Sequence, residues 1–102
     1  MREQIIKFEK SKRRGKKYTA FVRHNVTHKI RKIHFGALGY QQYKDRTPLH
    51  LYSKLNHLTR KRMNNYFNRH SGTPNREKAI KLEIKKSHGL YNAKILSHKY
   101  LW

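Results

Sequence analysis

Lys17-Tyr18-Thr19-Ala20-Phe21-Val22-Arg23 and Lys29-Ile30-Arg31-Lys32-Ile33-His34-Phe35, separated by His24-Asn25-Val26-Thr27-His28, are the stretches whose reading decides the fold. Both runs are rich in aromatic and β-branched residues. The five residues between them carry turn chemistry, with Asn25 tolerant of left-handed geometry, so the segment predicts a β-hairpin. Tyr18, Ala20 and Val22 fall on one face of the first strand and Phe21 on the other. In the second strand Ile33 and Phe35 share a face with Arg31, while Ile30, Lys32 and His34 point the opposite way. Neither face is purely apolar. That predicts a two-sided sheet with one wet, cationic face and leaves the register weakly specified.

Upstream, residues 1–16 read as a basic N-terminal arm. Lys10, Lys12, Arg13, Arg14, Lys16 and Lys17 crowd one segment, and Gly15 breaks it. Ile5, Ile6 and Phe8 before them suit a short strand or an anchoring hook. The cationic run is either a solvated loop or nuclear localisation signal, or an arm that lies on phosphates or an acidic surface. Residues 17–102 then form a single small α+β domain.

Downstream, Gly36, Gly39 and Pro48 make residues 36–54 turn-rich, and residues 49–55 are expected to begin a helix. Asp45 is read as a turn cap or as an ion-pair partner of Arg46 or Lys44. Thr59 is placed to cap a helix over 60–70. Met63, Tyr66, Phe67 and His70 recur at helical spacing and read as core packing. Lys61, Arg62, Asn64, Asn65, Asn68 and Arg69 occupy the opposite arc, either solvated or offered to phosphate oxygens. Thr73 and Pro74 suit the N-cap and first position of another helix over 74–79. Ile80, Leu82 and Ile84 alternate with charged residues as in a strand, so 80–86 stays open between helix and strand. The tail Tyr100-Leu101-Trp102 is costly to leave in water and is expected to dock on the core or on a neighbouring chain. The reading is an α+β fold, a hairpin or sheet packed by one or two amphipathic helices, with a basic arm and a docked tail.

Charge bounds the function. Lys and Arg number 26 against five Asp and Glu, a formal net charge of +21, so the chain needs an anionic partner. There are no cysteines, which removes disulfides and thiolate metal sites and fits a reducing compartment. His24 and His28 lack a third ligand nearby, so no metal is expected. The carboxylates are scattered. No Gly-rich phosphate loop, nucleophile elbow or His-Glu-x-x-His motif is present, and the reading is a non-enzyme without cofactor or small-molecule substrate. No apolar run approaches the ~20 residues of a membrane span, and the first residues do not form a signal peptide. Nucleic acid is the default partner, with Lys and Arg on phosphates and Tyr18, Phe21, Tyr40 and Tyr43 available to stack on bases. No sequence-reading module is matched. The candidate polyanion-binding residues are Lys10, Lys12, Arg13, Arg14, Lys16, Lys17, Arg31, Lys32, Lys61, Arg62 and Arg69.

The hairpin ending His34-Phe35-Gly36, the turn Tyr40-Gln41-Gln42-Tyr43-Lys44-Asp45, the basic Arg60-Lys61-Arg62 and Asn65-Tyr66-Phe67-Asn68-Arg69-His70 together carry a resemblance. The chain resembles small, basic, uncharacterised proteins of nucleocytoplasmic large DNA viruses, well over residues 17–70 and loosely elsewhere. Leu101-Trp102 is similar too. The segment Thr73–Lys86 and the end at Trp102 depart from the pattern. The resemblance implies a large double-stranded DNA virus as origin and a virion location, after synthesis in the host cytoplasm or nucleus. Two functions then compete, and the apolar tail tips the expectation toward the first. One is a minor capsid protein fastening acidic undersides of capsid subunits, facing genome or inner membrane, with the arm and tail as fasteners. The other is a genome-packaging or nucleic-acid-binding protein.

Overall fold

The structure, a computed structural model, describes residues 1–102. Three strands, β1 (Glu3–Lys10), β2 (Lys16–His24) and β3 (Ile30–Ala37), are followed by a 3-10 turn at Ser53–Leu55 and helices α1 (Arg60–Ser71), α2 (Arg76–Lys86) and α3 (Ala93–Tyr100). The sheet is antiparallel in the order β1-β2-β3, and the fold is α+β.

The expected faces of the hairpin form. Tyr18, Ala20, Val22 and Phe35 are fully buried and Ile33 nearly so, against Ile95, Leu96 and Leu101. The turn differs in detail. His28, not Asn25, takes the left-handed conformation (φ 60°), and the His24 ring Nδ1 accepts from the Val26 and Thr27 amides.

Residues 1–16 are not an arm. Glu3–Lys10 is the edge strand of the sheet, paired with β2 along its length. The pairing shifts between Ile5 and Lys7, a bulge at Ile6. The extra residue resets the alternation, so that Ile5 and Phe8 both face the core while Lys7 and Glu9 face outward. Without it, one of the two apolar residues would point into water. Phe8 packs edge-on against Phe35 and Tyr100, with ring centroids 6.0 and 4.8 Å apart. Only the link from Ser11 to Gly15 projects as a turn.

The long connection from β3 to α1 holds no α-helix; of residues 49–55 only Ser53–Leu55 form a helical turn. It is pinned by Asp45, which forms no ion pair. Its buried carboxylate accepts from Tyr18 OH, the Thr47 amide and hydroxyl, and the Tyr52 amide. Backbone bonds from the Lys44 and Arg46 amides to the Leu101 and Tyr100 carbonyls (3.1 and 2.8 Å) bind this loop to the tail.

Helix α1 follows Thr59, although the Thr59 hydroxyl caps nothing. Tyr66 and Phe67 are buried, Met63 is partly covered, and His70 is exposed, because Ser71 occupies the next inward position. Helix α2 begins at Asn75, whose side chain accepts from the Lys78 amide at 3.0 Å. Thr73 and Pro74 precede that cap. Residues 80–86 are helical: Ala79 and Glu83 are buried four residues apart, beside the partly covered Ile80 and Ile84. The carboxylate at an inward position had masked the helical period.

The tail packs into the chain's own core. Leu101 is buried, and Trp102 stacks on Tyr66 at 4.1 Å and 8°. Gly36 permits this. Its φ is +80°, and a Cβ there would lie 2.8 Å from Leu101 Cδ1.

Candidate functional site

Folding separates the two signs of charge. Three of the five carboxylates are inside: Glu3, Asp45 and Glu83. Glu3 accepts a two-point bond from Arg31 (2.7 and 2.8 Å) and the Tyr91 amide (2.8 Å). The Arg31 bond holds its pKa below the usual carboxylate value, against the opposing effect of burial. Burial pushes Asp45 up, but the donors from Thr47, Tyr18 and Tyr52 outweigh it and leave the carboxyl below its ordinary value. Glu83 accepts from Ser71 at 2.8 Å, with Lys86 and Lys94 both at 3.8 Å. Glu9 is tied to Lys7 at 3.0 Å, and Glu77 is exposed. By contrast, all Lys and Arg except Lys16, Lys17, Arg76 and Lys99 are exposed.

The cations form two surfaces. The first is the outer sheet face, opposite the helical layer. Register places Lys7, Phe21 and Lys32 in one row across the three strands. The two ammonium groups lie 4.5 and 5.3 Å from the Phe21 ring centroid, a distance at which the ring's negative face attracts each. The next row is Glu9, Thr19 and His34, where Thr19 Oγ1 lies 2.7 Å from His34 Nδ1 and 3.1 Å from Ser11 Oγ. Burial, then the charges of Arg13, Lys32 and Lys16, press the His34 pKa below its usual value. Lys10 and Lys12 border this face. The β1–β2 turn continues it. Ser11 Oγ accepts the Arg13 amide and Arg13 O accepts the Lys16 amide, which leaves the Arg13 and Arg14 side chains in solvent.

The second surface is a cleft of about 550 Å³ between α1, α3 and the end of the hairpin. Lys16, Arg62, Arg69 and Lys94 line it, no carboxylate does, and the Tyr66–Trp102 stack and Leu101 form its apolar wall. Tyr40 stands at its rim, 72% exposed. Gln41 Oε1 accepts from Arg62 at 2.9 Å, and the His70 carbonyl accepts from Lys94 at 3.3 Å.

The sequence-derived candidates therefore divide. Lys12, Arg13, Arg14 and Lys32 belong to the sheet face and its turn. Lys10 borders that face but lies opposite Tyr18 and so out of phase with Lys7 and Glu9. Lys16, Arg62 and Arg69 belong to the cleft, and Lys61 is exposed on α1 outside it. Lys17 is not available to a partner. It is buried, its ammonium donates to the Tyr40 carbonyl and Gln42 Oε1, and desolvation lowers its pKa to about 8 against the pull of Asp45. Arg31 is likewise committed, to Glu3 and the Tyr91 carbonyl. Tyr18 cannot stack on a base: its ring is enclosed and its hydroxyl serves Asp45, which with burial raises its pKa to about 12. Tyr100, Leu101 and Trp102 are internal packing, with Trp102 also reaching the cleft. Lys7 and Lys94 were missed, Lys7 because the bulge hides its face and Lys94 because of the long sequence gap to its cleft neighbours.

A buried polar chain lies behind the cleft. Tyr66 OH is 2.9 Å from His98 Nδ1, His98 Nε2 is 2.8 Å from Ser71 Oγ, and Ser71 donates to Glu83. The geometry fits a neutral imidazole that accepts at Nδ1 and donates at Nε2. Burial lowers the His98 pKa to about 4, partly opposed by Glu83. With the serine donating to the carboxylate, the chain links α1, α2 and α3 through buried polar groups.

No curated protein and no solved structure matches the chain. Residues 6–48, which span most of the sheet and the loop that carries Asp45, are similar to a family of unknown function, DUF5754.

Proposed function

We propose that the protein binds nucleic acid, largely without regard to base sequence, through the outer face of its sheet and the Ser11–Gly15 turn. The observation that carries this reading is the separation of charge, in which most carboxylates are internal ligands and nearly all cations face water. A surface of one sign attracts a polyanion by releasing its counterions, with no need for base readout. Lys7, Lys10, Lys12, Arg13, Arg14 and Lys32 supply the cations, and Phe21 gives the face an apolar centre.

The same cations suit a minor structural role against acidic capsid subunits, the function that the sequence reading favours. The difference lies in the tail. A fastener needs an apolar segment to offer, and Tyr100–Trp102 is engaged with its own core. That leaves charge, which favours phosphate.

Fluorescence polarisation of a labelled duplex of unrelated sequences tests the reading. The expected result is affinity that varies little with sequence and falls linearly on a log–log salt plot, with a slope near −0.9 for each phosphate contacted. No binding at low ionic strength, or binding indifferent to salt, overturns it.

A further inference from the structure

We infer that the cleft between α1, α3 and the hairpin receives a single unpaired nucleotide, its phosphate on Arg69 and Lys94 and its base beside the Tyr66–Trp102 stack. This rests on the nucleic-acid reading above and adds a second, different site to it.

The two cationic surfaces differ in shape. At about 550 Å³ the cleft has the size of a small-molecule site, whereas the hollow on the sheet face holds only about 80 Å³. A duplex presents its phosphates on a convex rod with the bases stacked inside, so it can lie across the sheet but cannot enter a recess. An unpaired nucleotide can, because its base is free to leave the stack.

Chemistry points the same way. No Asp or Glu lines the cleft beside its cations, and the one carboxylate near them is the buried Glu83 behind the wall, 3.8 Å from Lys94. The Arg69 side chain makes no hydrogen bond within the chain, and Arg62 keeps donors beyond the one given to Gln41. One wall is apolar and aromatic, which an inorganic anion would not use and a base would. Tyr40 at the rim is the most exposed of the large rings and is placed for the neighbouring base.

Trp102 is the sole tryptophan and lines the cleft, so its emission reports on this side of the molecule and not on the outer sheet face. The probes are a 5′-phosphorylated single-stranded oligonucleotide, a blunt duplex of equal length, a nucleoside monophosphate and inorganic phosphate. Saturable change in Trp102 emission is expected with the single strand and not with the duplex. Response to the monophosphate identifies a free nucleotide as sufficient; response to the oligonucleotide alone identifies the strand as the source. Arg69→Ala with Lys94→Ala should weaken the single-strand response at least tenfold, several times more than it weakens duplex binding by polarisation. Arg69→Gln alone, which keeps the Lys94 contacts, covers the case in which the double variant does not fold, with a smaller loss in the same direction. Equal Trp102 responses to single strand and duplex, equal responses to inorganic phosphate and nucleotide, or no response to any probe overturns the inference. Duplex binding with a silent Trp102 overturns the cleft and leaves the sheet reading standing. A nucleotide response without duplex binding does the reverse.

Discussion

On β2, Tyr18, Ala20 and Val22 are completely enclosed, whereas Phe21 and Arg23, one residue out of phase, meet solvent. The neighbouring strands follow suit: Phe8 and Ile33 turn inward, Lys7 and Lys32 outward. The inner face is held by shape, since each side chain there touches several others and a slip of one residue would expose all of them. The outer face is held by almost nothing except the inner one. It therefore tolerates a density of like charge that would be disruptive elsewhere, eased by the Phe21 ring beneath two ammonium groups. From Tyr18 to Arg23 and from Lys32 to Phe35 the period-two pattern thus lets one sheet carry both stability and charge display, with buried Thr19 and, beyond these spans, Lys17 and Arg31 as the exceptions.

Breaking the inner face should have the largest effect. Phe35→Ala empties the centre of the core and is expected to cost about 3–5 kcal/mol, read as the loss of the urea midpoint. Asp45→Ala should follow at roughly 2–3 kcal/mol, because it strands the Tyr18 hydroxyl and the Thr47 and Tyr52 amides without an acceptor. A thermal midpoint for this variant close to that of the parent would show that the loop is held by its backbone bonds instead.

Acid tests the interior in another way. The His98 pKa is lowered on folding from 6.5 to about 4. The unfolded chain therefore takes up a proton that the folded chain refuses, and stability present above pH 6.5 is lost as pH falls toward 4. Glu3 and Asp45, also lowered, add a further loss below their ordinary values of 4.5 and 3.8. A scan of melting temperature against pH should decline from about 6.5 downward. In a His98→Gln variant the decline above the carboxylate range should become shallower, leaving only the smaller contributions of His34, His57 and His70, whose pKa values are also lowered on folding.

The outer face should respond least in stability and most in binding. Lys7→Gln with Lys32→Gln is expected to shift folding free energy by no more than about 0.5 kcal/mol. The same variant should flatten the salt dependence of duplex binding by about 2 units of slope. An unchanged slope would remove this face from the interface.

The hairpin was legible because its period, composition and turn agree. So was α1, where Tyr66 and Phe67 carry a helical stripe. The strand at 3–10 was only half legible, since the bulge at Ile6 breaks the alternation that identifies a strand. Helix α2 was obscured by Glu83, a charged residue in an apolar position whose partners lie in α1 and α3. Of the candidate site, the abundance of cations could be read, but not which of them were free. Lys17 and Lys16 are neighbours of the same type, yet one is enclosed and the other borders the cleft.

The sequence by itself determined the net charge, the strands of the hairpin and the absence of cysteine chemistry, because these follow from composition and from periods of two or four residues. The tertiary structure alone decided which charges remain to meet a partner. Arg31 finds Glu3 across 28 positions, Tyr18 finds Asp45 across 27, and the cleft gathers residues from the hairpin through to the last helix. Pairing and desolvation depend on distance in space, and separation along the chain carries no measure of it.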